Sequence, residues 1–183
     1  MALAAYPSTY IEEITLKDGT RVTLRPIRPD DAARLQQGFR MLTPQTIYLR
    51  FLDFAKELSD KQACFLAEVD YQQRMALVGV IQEEGEERLA AVARYDMLPD
   101  RLGLAEAAIV VRDDYQNRGL GTQIMLKLIQ YACAHGVQAF IATIHNSNLD
   151  IMRFIRKSEL PFKKELLEPG IWEVCIDLTP LKC

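Results

Sequence analysis

The stretch with the most chemical promise is Ile109-Val110-Val111-Arg112-Asp113-Asp114-Tyr115-Gln116-Asn117-Arg118-Gly119-Leu120-Gly121-Thr122, where an apolar strand gives way to a polar turn and a glycine pair opens a helix. A glycine lets a ligand oxygen come close to the backbone, and a helix start leaves about four N–H donors without intrahelical acceptors. The helix macrodipole adds roughly half a positive charge at the same point. Such a turn can hold a pyrophosphate, and it can equally be a close packing turn between strand and helix. Two other phosphate loops are excluded. The run Gly-x-x-x-x-Gly-Lys-Ser/Thr is missing, and Gln123 and Ile124 stand where a Gly-x-Gly-x-x-Gly pattern needs its third glycine.

Other reactive side chains offer less. His145 ends an apolar strand beside Asn146 and is expected to be hydrogen-bonded and structural, while His135 falls in a last helical turn, where a cation suits the dipole. Cys64, Cys133, Cys175 and Cys183 contain no Cys-x-x-Cys pair, and three of them lie in apolar runs, so buried reduced thiols are expected rather than disulfides or a metal site. Cys133 reads as core, which argues against a covalent acyl-cysteine.

The elements that must hold the glycine turn follow from periodicity. Tyr10 to Leu16 and Arg21 to Ile27 alternate around Asp18-Gly19, a hairpin. Three helical pieces come next, the first after Pro29-Asp30-Asp31, the second from Thr43-Pro44 and the third from a Ser59-x-x-Gln62 capping box. Met75 to Ile81 and Leu89 to Tyr95 read as a hairpin whose acidic turn, Glu83 to Glu87, is solvated. Leu104 to Val111 is a buried strand, Thr122 to His135 a helix stopped by Gly136, and Val137 to Ile144 another buried strand. Asn148 caps a helix from Leu149 to Ser158, and Phe162 to Leu167 with Ile171 to Leu178 closes the chain as a hairpin. This order predicts an α+β sandwich with one strand-helix-strand crossover.

With 183 residues, 49% apolar and 26% charged, the chain is expected to be a single domain over 1–183, with 1–9 a flexible N-terminal extension. The formal charge of -3 argues against a nucleic-acid partner. No basic n-region and no 18-residue apolar run is present, so a soluble, cytoplasmic protein without membrane association is expected.

Gln116-Asn117-Arg118-Gly119-Leu120-Gly121 after the strand Glu106 to Val111 resembles the Gln/Arg-x-x-Gly-x-Gly/Ala motif of the GNAT acetyltransferases. More widely, Asp18 to Asp31, Tyr48-Leu49-Arg50-Phe51, Val69-Asp70-Tyr71, Met75 to Val78, Ala105-Glu106 and Arg156 to Phe162 are similar to the acetyltransferase domain of bacterial protein-lysine acetyltransferases. The resemblance implies a mixed, mostly antiparallel twisted sheet flanked by helices on both faces. It implies acetyl-CoA as cosubstrate, with no metal, and an N-acetyltransferase acting on a primary amine, most of all a protein lysine such as one on an acyl-CoA synthetase. A small-amine enzyme and a non-catalytic acyl-CoA sensor are the alternatives, and the protein is expected as a monomer or homodimer.

Site residues follow from the same resemblance. Gln116, Asn117, Arg118, Gly119, Leu120, Gly121 and Thr122 would wrap the pyrophosphate, and Arg112 and Arg118 would meet the CoA phosphates. The backbone of Val111 would take the pantetheine arm, with its N–H polarising the thioester oxygen, and Val110 beside it, a core residue, is counted with the cofactor site. Asn148 would help to hold the arm. Glu106 would accept the amine proton, a necessary step because a lysine amine with a pKa near 10.4 is almost wholly protonated at pH 7. Ile151, Glu159 and Ile155 depart from the family, the last falling near where many GNAT enzymes place the Tyr that protonates the leaving thiolate.

The acceptor is expected on the side opposite CoA entry, along the loops Tyr48 to Phe54, Val69 to Gln73 and Glu165 to Ile171, with Asp53, Asp70, Glu165 and Glu168 attracting a basic partner.

Overall fold

The computed structural model describes residues 5–181. One eight-stranded sheet runs β1 (Glu12–Thr15), β2 (Arg21–Pro26), β3 (Arg74–Glu83), β4 (Glu86–Met97), β5 (Leu104–Val111), β6 (Ala139–His145), β7 (Phe162–Glu168) and β8 (Ile171–Asp177), in spatial order β1-β2-β3-β4-β5-β6-β8-β7. Every neighbouring pair is antiparallel except β5 and β6. Those two are joined by helix α4 (Leu120–Ala134), the crossover that parallel strands require. Helices α1 (Ala32–Arg40), α2 (Pro44–Phe51) and α3 (Asp60–Ala67) lie between β2 and β3 in the chain, and α5 (Leu149–Lys157) follows β6.

The helices cover both faces of the sheet. Alternation along β5 sends Ile109 and Val111 towards α4, whose Gly121 sits against them, and sends Val110 and the following Arg112 to the other face, where they border a small cavity with Leu35 and Phe39 of α1. The local signals worked as local physics requires. Thr43 and Ser59 cap α2 and α3, Ser59 in a full capping box with Gln62. The β3–β4 turn is tighter than the acid run suggested, since Glu84 and Gly85 both take positive φ and leave Glu83 and Glu86 as a register pair.

Three expectations are corrected. Glu83 is not a solvated turn residue but a partner of Arg112, described below. Cys64 is exposed and Cys133 and Cys175 are half-buried, while Ala63, Ala132 and Val174 next to them face the core; Cys183 lies outside the described residues. Of the proposed loose N-terminal extension, residues 1–4 lie outside the described residues, whereas Tyr6 donates to the Pro26 carbonyl at 2.9 Å and meets the Tyr71 ring edge-on at 5.7 Å.

Below α1 sits a buried ion pair. Asp31 accepts from Arg25 through both oxygens at 2.7 Å and from the Arg28 amide at 2.9 Å. Burial pushes its pKa up, but the hydrogen bonds from Arg25 and Arg28 and the nearby arginine charges outweigh it and hold the carboxyl below 3.8. A depressed folded-state pKa means that the unfolded chain binds the proton more readily, so this stabilisation is present above about pH 4 and fades as pH falls through the folded value. Asp31→Asn should therefore lower the urea midpoint at pH 7, and its deficit against the wild type should shrink below about pH 4. A deficit that stays constant down to pH 2 would show that the charge of Asp31 is not what stabilises the fold.

Candidate active site

The parallel pairing of β5 and β6 is short. It runs from Leu104↔Ala139 to Glu106↔Ile141 and stops, although both strands continue for several residues. Beyond Glu106 the strands part, and the gap opens into a cleft of about 880 Å³. Its walls are α2 on one side and α5 on the other, with the start of α4 at one end.

The exposed edge of β5 has a defined chemistry. The Arg112 amide donates to Ala90 of β4 at 2.8 Å, so by antiparallel alternation Val110, Ala108 and Glu106 direct their backbone groups at β4. Ala107, Ile109 and Val111 direct theirs into the gap. The Gln116 side chain confirms the sense of this alternation by donating to the Val111 carbonyl at 3.0 Å. Glu106 stands at the fork with its side chain exposed and lining the cleft.

At the other end, the glycine turn is stocked with donors. Among the described residues, none of the backbone amides from Asn117 to Thr122 has a hydrogen-bond acceptor, the first internal bond being Gln123 N–H to the Gly119 carbonyl at 3.2 Å. That is more than a helix start alone leaves open. The turn owes its shape to Asn117 and Gly119, both at positive φ (60° and 94°). A β-carbon on Gly121 would come to 3.4 Å from Val111 Cγ2, so Gly121 also serves the close seating of α4 on β5, and the packing and ligand readings of this glycine hold together. Lys17, which carried no local signal in the sequence, runs its side chain past Gly119.

The structure brings most of the expected residues together and removes some. Glu106, Val110, Val111, Gln116, Asn117, Gly119, Gly121, Thr122 and Asn148 line the cleft. Asn148 is there as the cap of α5, accepting the Ile151 amide at 3.3 Å. Leu120 is fully buried and contributes its backbone only.

Arg112 is not available to phosphate. It is 3% exposed, forks onto both oxygens of Glu83, bonds Asp114 at 2.7 and 2.8 Å and stacks over Tyr115. It borders the small cavity beneath α1 instead of the cleft, and its donors are already taken. Arg118 reaches Asp18 at 2.7 Å, also lies over the Tyr115 ring, and is not among the residues lining the cleft. Ile155 borders the cleft, but its aliphatic side chain has no proton to give a leaving thiolate. Asp70, expected as part of an acidic acceptor loop, instead accepts the amides of Gln72 and Arg74 and shapes its own turn.

Two features were missed. Asp113 ties α2 to the turn, accepting from the Thr43 amide and the hydroxyls of Thr43 and Thr46 at 2.7–2.9 Å, and Gln116 adds a bond to Thr46. The other is Arg50, which lines the cleft beside Glu106. The first depends on contacts between residues 67–70 apart in the chain, and the second on the fold that brings α2 beside β5, neither of which a local pattern announces.

Residues 21–160 match the acetyltransferase (GNAT) domain family. The chain belongs to the GNAT acetyltransferases. It is 38% identical over 122 residues to Acetyltransferase PA5475 of Pseudomonas aeruginosa, covering 67% of this chain and 65% of that one. It is 30% identical over 168 residues to Acetyltransferase Pat of Mycolicibacterium smegmatis, covering 92% of this chain but 49% of that one. The alignments thus span about two thirds and about half of these relatives' own lengths. Among solved structures, the GNAT domain of S. lividans PAT superposes with a TM-score of 0.81 at 25% identity, covering 94% of this chain and 99% of that domain. The fold is also that of yncA from Salmonella typhimurium, solved with acetyl-CoA, at a TM-score of 0.66 and 14% identity. The chain thus carries the GNAT fold, in a family of acetyltransferases whose cosubstrate is acetyl-CoA.

Proposed function

We propose that this acetyltransferase passes the acetyl group of acetyl-CoA directly to a primary amine, with a protein lysine as acceptor and Glu106 as the group that takes the amine proton. The observation that carries the reading is the position of Glu106, at the fork where β5 leaves β6, on the strand whose open edge ends in Val111. The amides from Asn117 to Thr122 suit a pyrophosphate, with Lys17 as the added cation and Arg112 left to hold the fold. Glu106 takes a proton from the ammonium, the freed amine nitrogen attacks the thioester carbon, the C–S bond breaks with coenzyme A leaving as a thiolate, and the second proton, made acidic on the acylated nitrogen, passes to water. A thiol pKa near 8.5 makes an unprotonated departure tolerable, which fits an aliphatic residue, Ile155, in the cleft wall.

A protein acceptor is supported by the resemblance to protein-lysine acetyltransferase domains and by two exposed segments. Phe54, after α2, and Leu166 and Leu167 of β7 are exposed, with Asp53, Glu165 and Glu168 exposed beside them in the chain. Apolar groups ringed by acids suit a basic protein surface. The reading keeps the cytoplasm as its setting; among the described residues no helix is long and apolar enough to cross a membrane.

Incubation of cell proteins with the enzyme and isotope-labelled acetyl-CoA, followed by mass spectrometry, tests it. Labelled lysines on a small set of proteins are expected. Transfer to small amines with none to protein would reject the protein acceptor, and thermal stabilisation by acetyl-CoA without any transfer would identify a sensor instead.

A further inference from the structure

The inner wall of the acceptor side carries an unbalanced set of charges. Asp96 and Glu106 are register partners across β4 and β5, so two carboxylates face each other on one side of the sheet. Three guanidiniums surround them. Arg74 donates to Asp96 at 2.7 Å and to the Phe65 and Glu68 carbonyls, and Arg94 donates to Asp96 at 3.1 Å and to the Leu66 carbonyl. Both are locked in place by the α3 backbone.

Arg50 is different. Among the described residues it makes no hydrogen bond and no ion pair within 4 Å, and its packing partner is the Phe51 ring, 4.8 Å from its guanidinium carbon. It is half-buried, between the cleft and the small apolar cavity beneath α1. Burial first, and then Arg94, push its pKa down to about 10, opposed by Glu106 and Asp96, so it stays a cation at neutral pH. A guanidinium presents five N–H donors in a fork shaped for a carboxylate, and leaving it partly desolvated without an anion is costly. Its position is also firm, because α2 is tied to the cofactor turn through Thr43, Thr46 and Asp113.

Resting on the acetyl-transfer reading above, we propose that Arg50 receives a carboxylate carried by the acceptor, a few bonds from the amine that Glu106 serves. An ammonium entering alone would meet the spare positive charge and be repelled. An acceptor that brings its own negative charge satisfies Arg50 as its amine reaches Glu106. The same chemistry has two sources, an acidic side chain next to the acceptor lysine in a protein or the α-carboxylate of an amino-acid-like amine. For either, Arg50 is a specificity-determining residue.

The test compares acceptors that differ only in that charge. One arm uses lysine peptides flanked by Asp or by Asn, and the other uses Nα-acetyl-lysine or its amide. The wild type should favour the charged member of at least one pair by about tenfold or more in kcat/KM, the range for a charge-assisted hydrogen bond, and the pair that shows it names the source. Arg50→Gln should bring that ratio to within about twofold of unity, and Arg50→Lys should retain part of it. Calorimetric titration of the same acceptors into protein loaded with desulfo-CoA reads the preference without turnover, so it separates a failure of Glu106 as base from a failure of Arg50 as receptor. No preference in the wild type by either measurement, or equal losses on charged and neutral acceptors in Arg50→Gln, would overturn the proposal.

Discussion

Glu106→Gln lowers kcat by about a hundredfold or more at pH 7 and leaves the acetyl-CoA dissociation constant within about twofold, the pattern of a lost general base. The substitution is close to isosteric and its site is exposed, so the fold should be unaffected. The rate deficit should narrow as pH rises towards the amine pKa, because free amine then needs no base. Removing the carboxylate also leaves Arg50 and Arg94 with less opposing charge, which adds to the difficulty of admitting an ammonium. Steady-state kinetics against pH, with calorimetric titration of acetyl-CoA, checks both halves. Full activity of the variant at pH 7 would give the proton to another group, and His145, held by Ser147 at 2.7 Å beyond the end of β6, would be next to examine.

Gly119→Asp and Gly121→Asp should each abolish stabilisation by acetyl-CoA. At a ligand concentration of about 100 times Kd, binding to the folded state contributes about 2.7 kcal/mol, which for a chain of this size raises Tm by roughly 5–10 °C. At Gly119 the variant adds a negative charge among the unpaired amides and a side chain at φ 94°, a conformation that only glycine adopts freely. At Gly121 the backbone is helical, but the added carbon meets Val111 at 3.4 Å and the carboxylate faces the cleft. Gly119→Ala serves as the control. It carries the backbone strain without the charge, so its apo Tm falls while some ligand response survives. An undiminished shift in both aspartate variants would remove the pyrophosphate from this turn.

Much of this fold was legible because its signals are local. The Ser59–Gln62 box, Thr43-Pro44 and the Asp18-Gly19 turn between β1 and β2 each act within a few residues, and each appears where expected. The glycine turn was legible for the same reason. What escaped was pairing at a distance. Arg112 belongs to Glu83, 29 residues away and two strands over, and nothing in either segment distinguishes a guanidinium that will fork onto a carboxylate from one that awaits phosphate. Arg50 was hidden differently, since its importance lies in lacking the partners that Arg74 and Arg94 have, and a missing contact leaves no mark on a sequence.

The early end of the β5–β6 ladder has a further consequence. Beyond Glu106, β5 is zipped along one margin and bare along the other, so a ligand lying there is placed by register, as a neighbouring strand would be. Under the acetyl-transfer reading, the amide-bearing pantetheine arm is that neighbour, and the location of its reacting carbon is written in main-chain atoms. Side-chain changes at Ala107 or Ile109 would alter the seating of α4 and leave the bare margin where it is. The placement of the thioester is thus insulated from amino-acid replacement, while choice of the amine rests on replaceable side chains across the cleft.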